Sequence, residues 1–418
     1  MQRNVKFLKY LSRLGWATSV VTPKPYEFHV FDPSLLNELD ESTEVTRTES
    51  LDPLRVTRVL KDVGAKEGSS PTEAGRSSIK NNGFLAKAFR FVRSWFMFPD
   101  QSMGWIPFAI RAGNQIVANR EVDIVFGSFP GPTNAVIAYY ISKAKGVPFI
   151  LDFRDGWIDD PYTRYPSRFH YSLHVALEKR ILSKAAGIVV YGDVLKKRFE
   201  DRYPKLGSIA VIPNGFDPAD LKVEGQLIQT EESTIQIVYS GSLFGKREDN
   251  FRVFIKALSL LPEELKERIR FTVVGPKFNG VDTLIASHAL EKQIRITGYV
   301  AHKVALKYLA TADAGVVFLP PGEFTGVTGK VFEYLGFQLP VIACVEGSGA
   351  CADLLASINW AFGIAQPDSS EQIADVIVDL EVRQWPRLEK DVSMQFSRAA
   401  QSDALSEYMN NIIIENTK

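Results

Sequence analysis

Cysteine is almost missing from this sequence: Cys344 and Cys351 are the only two in 418 residues. A disulfide framework is therefore excluded. With no histidine or second cysteine pair at ligand spacing beside them, a zinc site is not expected either. We expect two free, buried thiols in a reducing compartment. An excess of one charge is also missing. Forty-nine basic residues balance 49 acidic ones, which gives no electrostatic case for a nucleic-acid partner. No apolar run approaches the roughly 18–20 residues that span a bilayer. The opening "QRNVKFLKYLSRLGW" is amphipathic and has no apolar signal core. Five histidines, His29, His170, His174, His288 and His302, show no metal spacing as a set. His170 and His174 stand four apart on an expected helix, but no acidic residue lies between them, so the zinc-protease pattern is absent.

What is present is ordinary in bulk and ordered in detail. Hydrophobic residues make up 45% and charged residues 23%, the balance of a soluble globular protein. The length suits two or three domains. Short β-branched runs alternate with longer amphipathic stretches, which indicates parallel sheets with crossover helices. Strands are expected at 17–23, 122–129, 148–155, 186–192 and 208–217, with helices at Pro132–Lys145 and His170–Lys184. The pattern restarts with strands at 235–242, 269–276, 294–300, 314–320 and 340–345, and a helix near Phe251–Leu261. The fold class is α/β, with two doubly wound Rossmann-like domains in series. Domain boundaries are read at 1–217, 218–391 and 392–418. The last segment carries Phe396, Ala400, Leu405 and Met409 at helical spacing, and is expected as a helix returning to the first domain. Residues 64–83, rich in Gly, Ser, Lys and Asn, read as a flexible loop.

The stretch "GEFTGVTGKVFEYLGFQLPVIA" (322–343) carries chemistry. A strand ends at Pro320, a glycine-rich turn follows, and a helix starts near Thr328–Lys330. A helix N-terminus leaves backbone N–H groups free and carries partial positive charge. Gly322, Gly326 and Gly329 let a ligand approach that backbone, which makes a phosphate seat. Lys330 adds a full charge. Glu333, one turn on, suits a pair of sugar hydroxyls. The competing reading is a plain strand–turn–helix with both side chains solvated. A second stretch, "VYSGSLFGKREDN" (238–250), sets Lys246 and Arg247 just beyond a strand's carboxyl end, where open α/β sheets bind ligands. The two loops together point to one pyrophosphate-sized site.

These stretches, with "VVGP", "VIPNGFD", "FVRSWFMFPDQSMGWIPFAI", "GSFPGPTNAVIAYYISKAKGVPFILDFRDGW" and "LEKRILSKAAGIVVYGDVLKKRF", resemble family 4 retaining glycosyltransferases of the GT-B fold. The resemblance covers nearly the whole chain after about residue 85, and is nearest to enzymes of bacterial surface-polysaccharide assembly. It implies two domains facing across a cleft and closing over a nucleotide-diphosphate sugar. It also implies that Lys246 and Arg247 hold the donor diphosphate, helped by backbone amides from Gly326 to Gly329. Gly241, Ser242, Thr325, Thr328 and Lys330 fall in the same donor-binding set. Glu333 would contact the ribose, and Gly275, Tyr299 and Val300 would face the base. On the acceptor side the resemblance places Ser128, Asp152 and Arg154, with Asp155 as a catalytic carboxylate. Asp152 has a competing reading as a structural cap of the strand–loop junction.

Two departures from the family pattern stand out. Its two glutamates lie eight positions apart, but Thr325 stands eight before Glu333. Glu323, ten before, is the candidate to take the catalytic role by a loop shift; the alternative is that the role is lost. The family's opening strand and glycine loop also lack a counterpart before "VKFLKYLSRLGW".

The implied reaction moves a sugar to a glycan or lipid-linked acceptor with retention and needs no divalent metal. No cofactor is expected beyond the donor substrate, and "DGWIDD" is not read as a metal site. Residues 86–98 interleave basic and aromatic side chains. They read either as a core-packed helix, which is favoured, or as a peripheral contact at the inner face of a membrane. The expected location is cytoplasmic. Rival functions are a truncated, non-catalytic GT-B relative acting as a partner protein, and a nucleotide-sugar epimerase.

Overall fold

A computed structural model of the chain describes residues 2–24, 33–51, 95, 97–129, 131–158, 160, 163, 165–223, 225–231, 233–358, 362–382 and 390–417. The expected flexible loop at 64–83 and most of the 86–98 stretch lie outside these residues. The chain divides into two compact units. The first holds Leu11–Tyr191, Leu195–Ile212 and Leu405–Lys418; the second holds Met1–Tyr10, Gly192–Val194 and Pro213–Ala404. The division at Pro213 falls close to the expected boundary at 217. The grouping of Met1–Tyr10 with the second unit differs from the sequence reading, for a reason given by Asp217 below.

In the first unit, strands β1 (Ser19–Pro23) and β2 (Glu44–Thr48) pair in parallel. Strands β3 (Val125–Ser128), β4 (Phe149–Phe153), β5 (Gly187–Val190) and β6 (Ser208–Val211) form a four-stranded parallel sheet in that order. Every residue of β4 and β5 is buried, which is why both read as continuous apolar runs. Helix α2 (Ile106–Asn119) packs on α3 (Pro132–Lys145), whose bounds match the sequence reading. Proline sits at the start of α3 and Gly146 caps its end with φ 72°, the usual asymmetry of a helix's two ends. Helix α4 (Arg168–Leu182) begins at Ser167, whose hydroxyl accepts from the His170 amide. Helix α5 (Asp193–Arg202) precedes β6.

The second unit has one six-stranded parallel sheet. Its strands are β7 (Ile235–Ser240), β8 (Ile269–Val274), β9 (Ile294–Ile296), β10 (Ala314–Phe318), β11 (Val341–Cys344) and β12 (Phe362–Ala365). The spatial order is β9-β8-β7-β10-β11-β12, so the winding reverses between β7 and β10, the place where doubly wound sheets take ligands. The connecting helices are α6 (Lys246–Ser259), α7 (Glu263–Arg268), α8 (Val281–Ser287), α9 (His302–Ala310), α10 (Gly329–Gly336), α11 (Ala350–Ser357), α12 (Ser370–Val382) and α13 (Lys390–Met394). One sheet face buries Phe251, Phe254, Phe271 and Phe318 in a single cluster; each such ring contributes about 1.5–3 kcal/mol. The other face packs Val317, Val331, Leu335 and Leu355. Cys344 and Cys351 are free and buried here, and burial pushes the Cys351 thiol up to about 12.

Helix α1 (Gln2–Arg13) owes its first residues' place to Asp217. Lys6 Nζ and Lys9 Nζ each lie 2.7 Å from Asp217 Oδ2, and Tyr10 donates to Oδ1 at 2.6 Å. The last helix, α14 (Arg398–Thr417), buries Leu405 and Met409. In the first unit its Tyr408 hydroxyl accepts from the Ile188 amide at 3.0 Å and donates to Ser208 O at 2.5 Å. A Cβ on Gly187 would meet that hydroxyl at 2.6 Å, so a side chain there would push Tyr408 off these bonds.

Candidate functional site

The site of the second unit is built at the carboxyl ends of β7, β8, β9 and β10. β7 ends at Ser240, and Gly241 follows with φ 148° and its amide bonded to Val274 O at 2.9 Å. β8 ends at Val274, and a Cβ on Gly275 would stand 2.1 Å from Gly241 O. The two strand ends cross with no room for a side chain on Gly275. A Cβ on Gly241 would stand 2.4 Å from Lys330 Cε and 2.8 Å from its Nζ. Lys330 thus lies across Gly241, with Nζ 5.5 Å from the centre of the Tyr239 ring.

Helix α10 holds Lys330 in place. Its N-cap is Thr328, whose hydroxyl accepts from the Lys330 amide at 3.1 Å. Tyr334, fully buried one turn on, donates to Val316 O at 3.0 Å and accepts from the Ser240 amide at 3.3 Å. This single side chain ties α10 to both β7 and β10. Burial, followed by the Arg247 guanidinium, lowers Lys330 to about 8, against a smaller pull upward from Glu333. Burial raises the Tyr239 phenol to about 12, and Arg247 opposes it. Arg247 is therefore the cation that Lys330 and Tyr239 both feel. Lys246, its neighbour, is exposed at the first position of α6. The sequence reading treats these two residues alike; the structure distinguishes them.

Glu333 lines a small cavity of 20 Å³ together with Lys6, Asp220, His302 and Arg398. That is room for one or two waters. Burial raises the Glu333 carboxyl, while His302 and then Lys330 draw it down. His302 Nε2 lies 3.4 Å from Asp220 Oδ2. This contact raises the imidazole, burial opposes it, and the Glu333 charge adds to the rise. Asp217, beside the cavity, is 1% exposed at its side chain. Burial would raise it, but bonds from Lys6, Lys9, Tyr10 and the Ala219 amide together hold it well below the usual carboxylate range. Sequence reasoning missed Asp217, Asp220 and His302 as site residues. The acidic pair that follows "VIPNGF" was the available signal for the first two.

Glu323 is buried and turned back on its own loop. Its Oε1 accepts from the Thr325 amide at 3.1 Å, the Thr325 hydroxyl at 2.7 Å and the Gly326 amide at 3.0 Å. The loop thus brings a carboxylate onto Thr325 and uses the Gly326 amide inside the turn. Gly322 gives its amide to Glu346 Oε1 at 2.7 Å. Ser242 accepts from the Tyr239 hydroxyl through its carbonyl at 3.1 Å. Tyr299 is 59% exposed beyond β9, and Val300 beside it is half-buried. Gly329 is exposed at the start of α10.

In the first unit, Asp152 is fully buried at the end of β4, 3.5 Å from the Ser128 hydroxyl. This burial favours the strand-end cap over an open contact with an acceptor. Arg154 donates from Nε to Phe129 O at 2.7 Å, which fixes the loop. Asp155 next to it is exposed. His170 and His174 are both buried. The His174 Nδ1 accepts from the Trp157 indole at 3.1 Å. Among the described residues, no three His, Cys, Asp or Glu side chains group to hold a metal ion. Among them too, no helix is long and apolar enough to cross a membrane.

Comparison with known proteins identifies the fold. The solved structures that share it include these three. A glycosyltransferase from Rickettsia africae has a TM-score of 0.63 at 16% identity, over 98% of this chain and 94% of that one. Sucrose-phosphate synthase from Thermosynechococcus elongatus has a TM-score of 0.65 at 13% identity, over 98% and 92%. Anabaena Alr3699/HepE, solved in complex with UDP, has a TM-score of 0.56 at 17% identity, over 74% and 84%. The two units are the Rossmann-like domains of the GT-B fold. No curated protein matches the chain by sequence. The family described as "Glycosyl transferases group 1" matches residues 234–381, and "Glycosyltransferase Family 4" matches residues 4–220, more than half of the chain. The chain belongs to Glycosyltransferase Family 4.

Proposed function

We propose that the chain transfers a sugar from a nucleotide-diphosphate donor, with UDP as its leaving group, to a glycan or lipid-linked acceptor in surface-polysaccharide synthesis, with the anomeric configuration retained. The observation that carries the donor site is Lys330 laid across Gly241 beside Arg247. Two cations that act on each other stand at the sheet's switch point, and one is pushed down to about 8 by burial and by the other's charge. Such a pair is costly without an anion and strongly attractive to one.

The roles follow from the chemistry. Breaking the sugar–phosphate bond leaves negative charge on the departing diphosphate. Lys330, Arg247 and the start of α10 neutralise that charge, with no divalent metal required, and Lys246 adds to the approach field. Glu333 takes the ribose hydroxyls, its buried neighbours fixing the carboxylate. Tyr299, exposed beyond β9, stacks on the base, beside Val300 and the bare backbone of Gly275. Glu323, brought onto Thr325, supplies a carboxylate near the sugar. Asp155 serves on the acceptor side. The choice of uridine is supported by the UDP complex of the Anabaena protein.

The test is a thermal-shift titration with UDP, GDP and ADP without added metal, followed by NMR of the product's anomeric carbon. A shift with UDP that is lost in Arg247→Ala, and a product of unchanged configuration, support the proposal. No shift with any of the three overturns the donor site, and an inverted product overturns retention.

A further inference from the structure

Among the described residues the Glu333 carboxylate forms no hydrogen bond or ion pair. The residue is half-buried, so its oxygens stay open to a ligand's hydroxyls. A carboxylate drawn out of water without a partner tends to take up a proton, and a protonated acid has less capacity to accept from a ribose. Something in the fold must hold its charge. The small cavity that Glu333 lines supplies the candidates: Lys6, Asp217, Asp220, His302 and Arg398.

Most of the cations nearby are committed elsewhere. Lys6 and Lys9 both pair with Asp217 Oδ2 at 2.7 Å. Arg398 donates to Gln401 Oε1 at 3.1 Å. Lys330, on the same helix as Glu333, lies across Gly241. His302 is placed differently. It is the first residue of α9, where the helix dipole works against a cation, yet its Nε2 lies 3.4 Å from Asp220 Oδ2. The turn at Pro218–Leu221 sets Asp220 there, and Asp217 caps that turn by accepting from the Ala219 amide at 2.9 Å. Lys6 also stands 3.4 Å from Asp220 Oδ2 and opposes a charge on the imidazole. The Asp220 bond and the Glu333 charge outweigh burial and Lys6, and raise the imidazole. A protonated imidazole has two N–H donors. One serves Asp220, and the other ring nitrogen has no partner among the described residues. The cavity that both residues line has room for a bridging water. Burial raises the Glu333 carboxyl most; His302 draws it down ahead of Lys330, Asp220 raises it and Arg398 lowers it.

We propose that His302 is a positioning residue for the donor's ribose: anchored on Asp220, its cation keeps the Glu333 carboxylate ionised across the cavity they share, ready to accept two hydroxyls. The inference rests on the reading of Glu333 as the ribose contact. The coupling is reciprocal, so each group sets the other's titration.

The test compares UDP with pyrophosphate, which has no ribose, by calorimetric titration from about pH 7 down to about pH 4.5. Protonation of the phosphates weakens both ligands, so the ratio of their affinities reads the ribose contact. In wild type the ratio should decline on the acid side as Glu333 takes up its proton. His302→Gln, which can still bond Asp220 but carries no charge, should move that decline to higher pH. UDP binding should become several-fold weaker on the acid side, with pyrophosphate unchanged. His302→Lys, which restores a cation, should move the decline back. A decline that stays in place in His302→Gln, or an equal loss for pyrophosphate, would overturn the inference. NMR titration of the ligand-free chain separates this from the donor reading. The His302 resonance, assigned by its absence from His302→Gln, should titrate at lower pH in Glu333→Gln than in wild type; an unmoved midpoint denies the coupling. A midpoint that moves while Glu333→Ala binds UDP as tightly as wild type would overturn the ribose reading, and with it the role of His302 in binding.

Discussion

Lys330 rests on Gly241 so closely that a single methyl group at position 241 would stand 2.4 Å from Cε and 2.8 Å from Nζ. Gly241→Ala should therefore displace the lysine while leaving the sheet intact, since the far end of a lysine moves cheaply. The positive φ adds roughly 1 kcal/mol of strain. UDP affinity should fall by roughly tenfold or more, which is about 1.4 kcal/mol. Gly275→Ala should behave differently. Its new methyl would meet the Gly241 backbone at 2.1 Å, and backbone cannot step aside. That variant should lose both melting temperature and affinity. Melting curves and UDP titrations of the two variants separate the cases; equal losses of stability in both would contradict the assignment.

Asp217→Asn should destabilise the second unit by about 3 kcal/mol, because it leaves buried Lys6 with only the more distant Asp220, at 3.4 Å, as counter-charge. The Asp217 carboxyl is held below its unfolded value, so its contribution is complete above about pH 4 and is lost as pH falls through the folded value. Denaturant unfolding at neutral pH checks the first statement. Repeating it in acid, where wild type and variant should converge, checks the second.

The legible part of the fold was the part buried on both faces. β4, β5, β10 and β11 are wholly buried and announce themselves as apolar runs. β2, "EVTRT", carries exposed polar residues in a two-stranded sheet and was not expected. Nor was β12, four residues long with Gly363 packed under Val376. The Lys330–Glu333 helix start was legible because strand, glycine turn and helix are consecutive in the chain. The surroundings of Glu333 were not. Lys6 and Asp217 are 211 positions apart, and Asp220 and His302 are 82 apart; no local pattern joins them. The roles of Lys246 and Arg247 could not be separated either, because neighbours on a helix point in different directions.

His174 predicts a pH effect in the first unit. Burial lowers the imidazole from 6.5 to about 4, and its neutral form accepts from the Trp157 indole. The unfolded chain binds the proton first, so stability is complete above about pH 6.5 and declines as pH falls toward the folded value. His174→Phe should flatten this slope. Tryptophan fluorescence during denaturant unfolding, from neutral pH down to about pH 4.5, reads it out; an unchanged slope in the variant would assign the effect to another group.

Glu333→Ala should weaken UDP binding by roughly 1.5–3 kcal/mol, the worth of a charge-assisted hydrogen bond. Burial raises this carboxyl above its ordinary range, so affinity should also decline on the acid side in wild type and not in Glu333→Gln. Calorimetric titration with UDP and with pyrophosphate distinguishes the contact: pyrophosphate, which has no ribose, should bind both proteins alike.

The central claim is that Lys330 and Arg247 together form the diphosphate seat. Burial and then the Arg247 charge lower Lys330 to about 8, and an anion that binds beside it must raise it. UDP titrated from about pH 7 to about pH 9.5 should take up a proton near the upper end, and affinity should fall by up to roughly tenfold per pH unit above about 8. Lys330→Arg, which stays charged, should remove that dependence. Affinity that is flat across the range in wild type, or that falls equally in Lys330→Arg, would contradict the account.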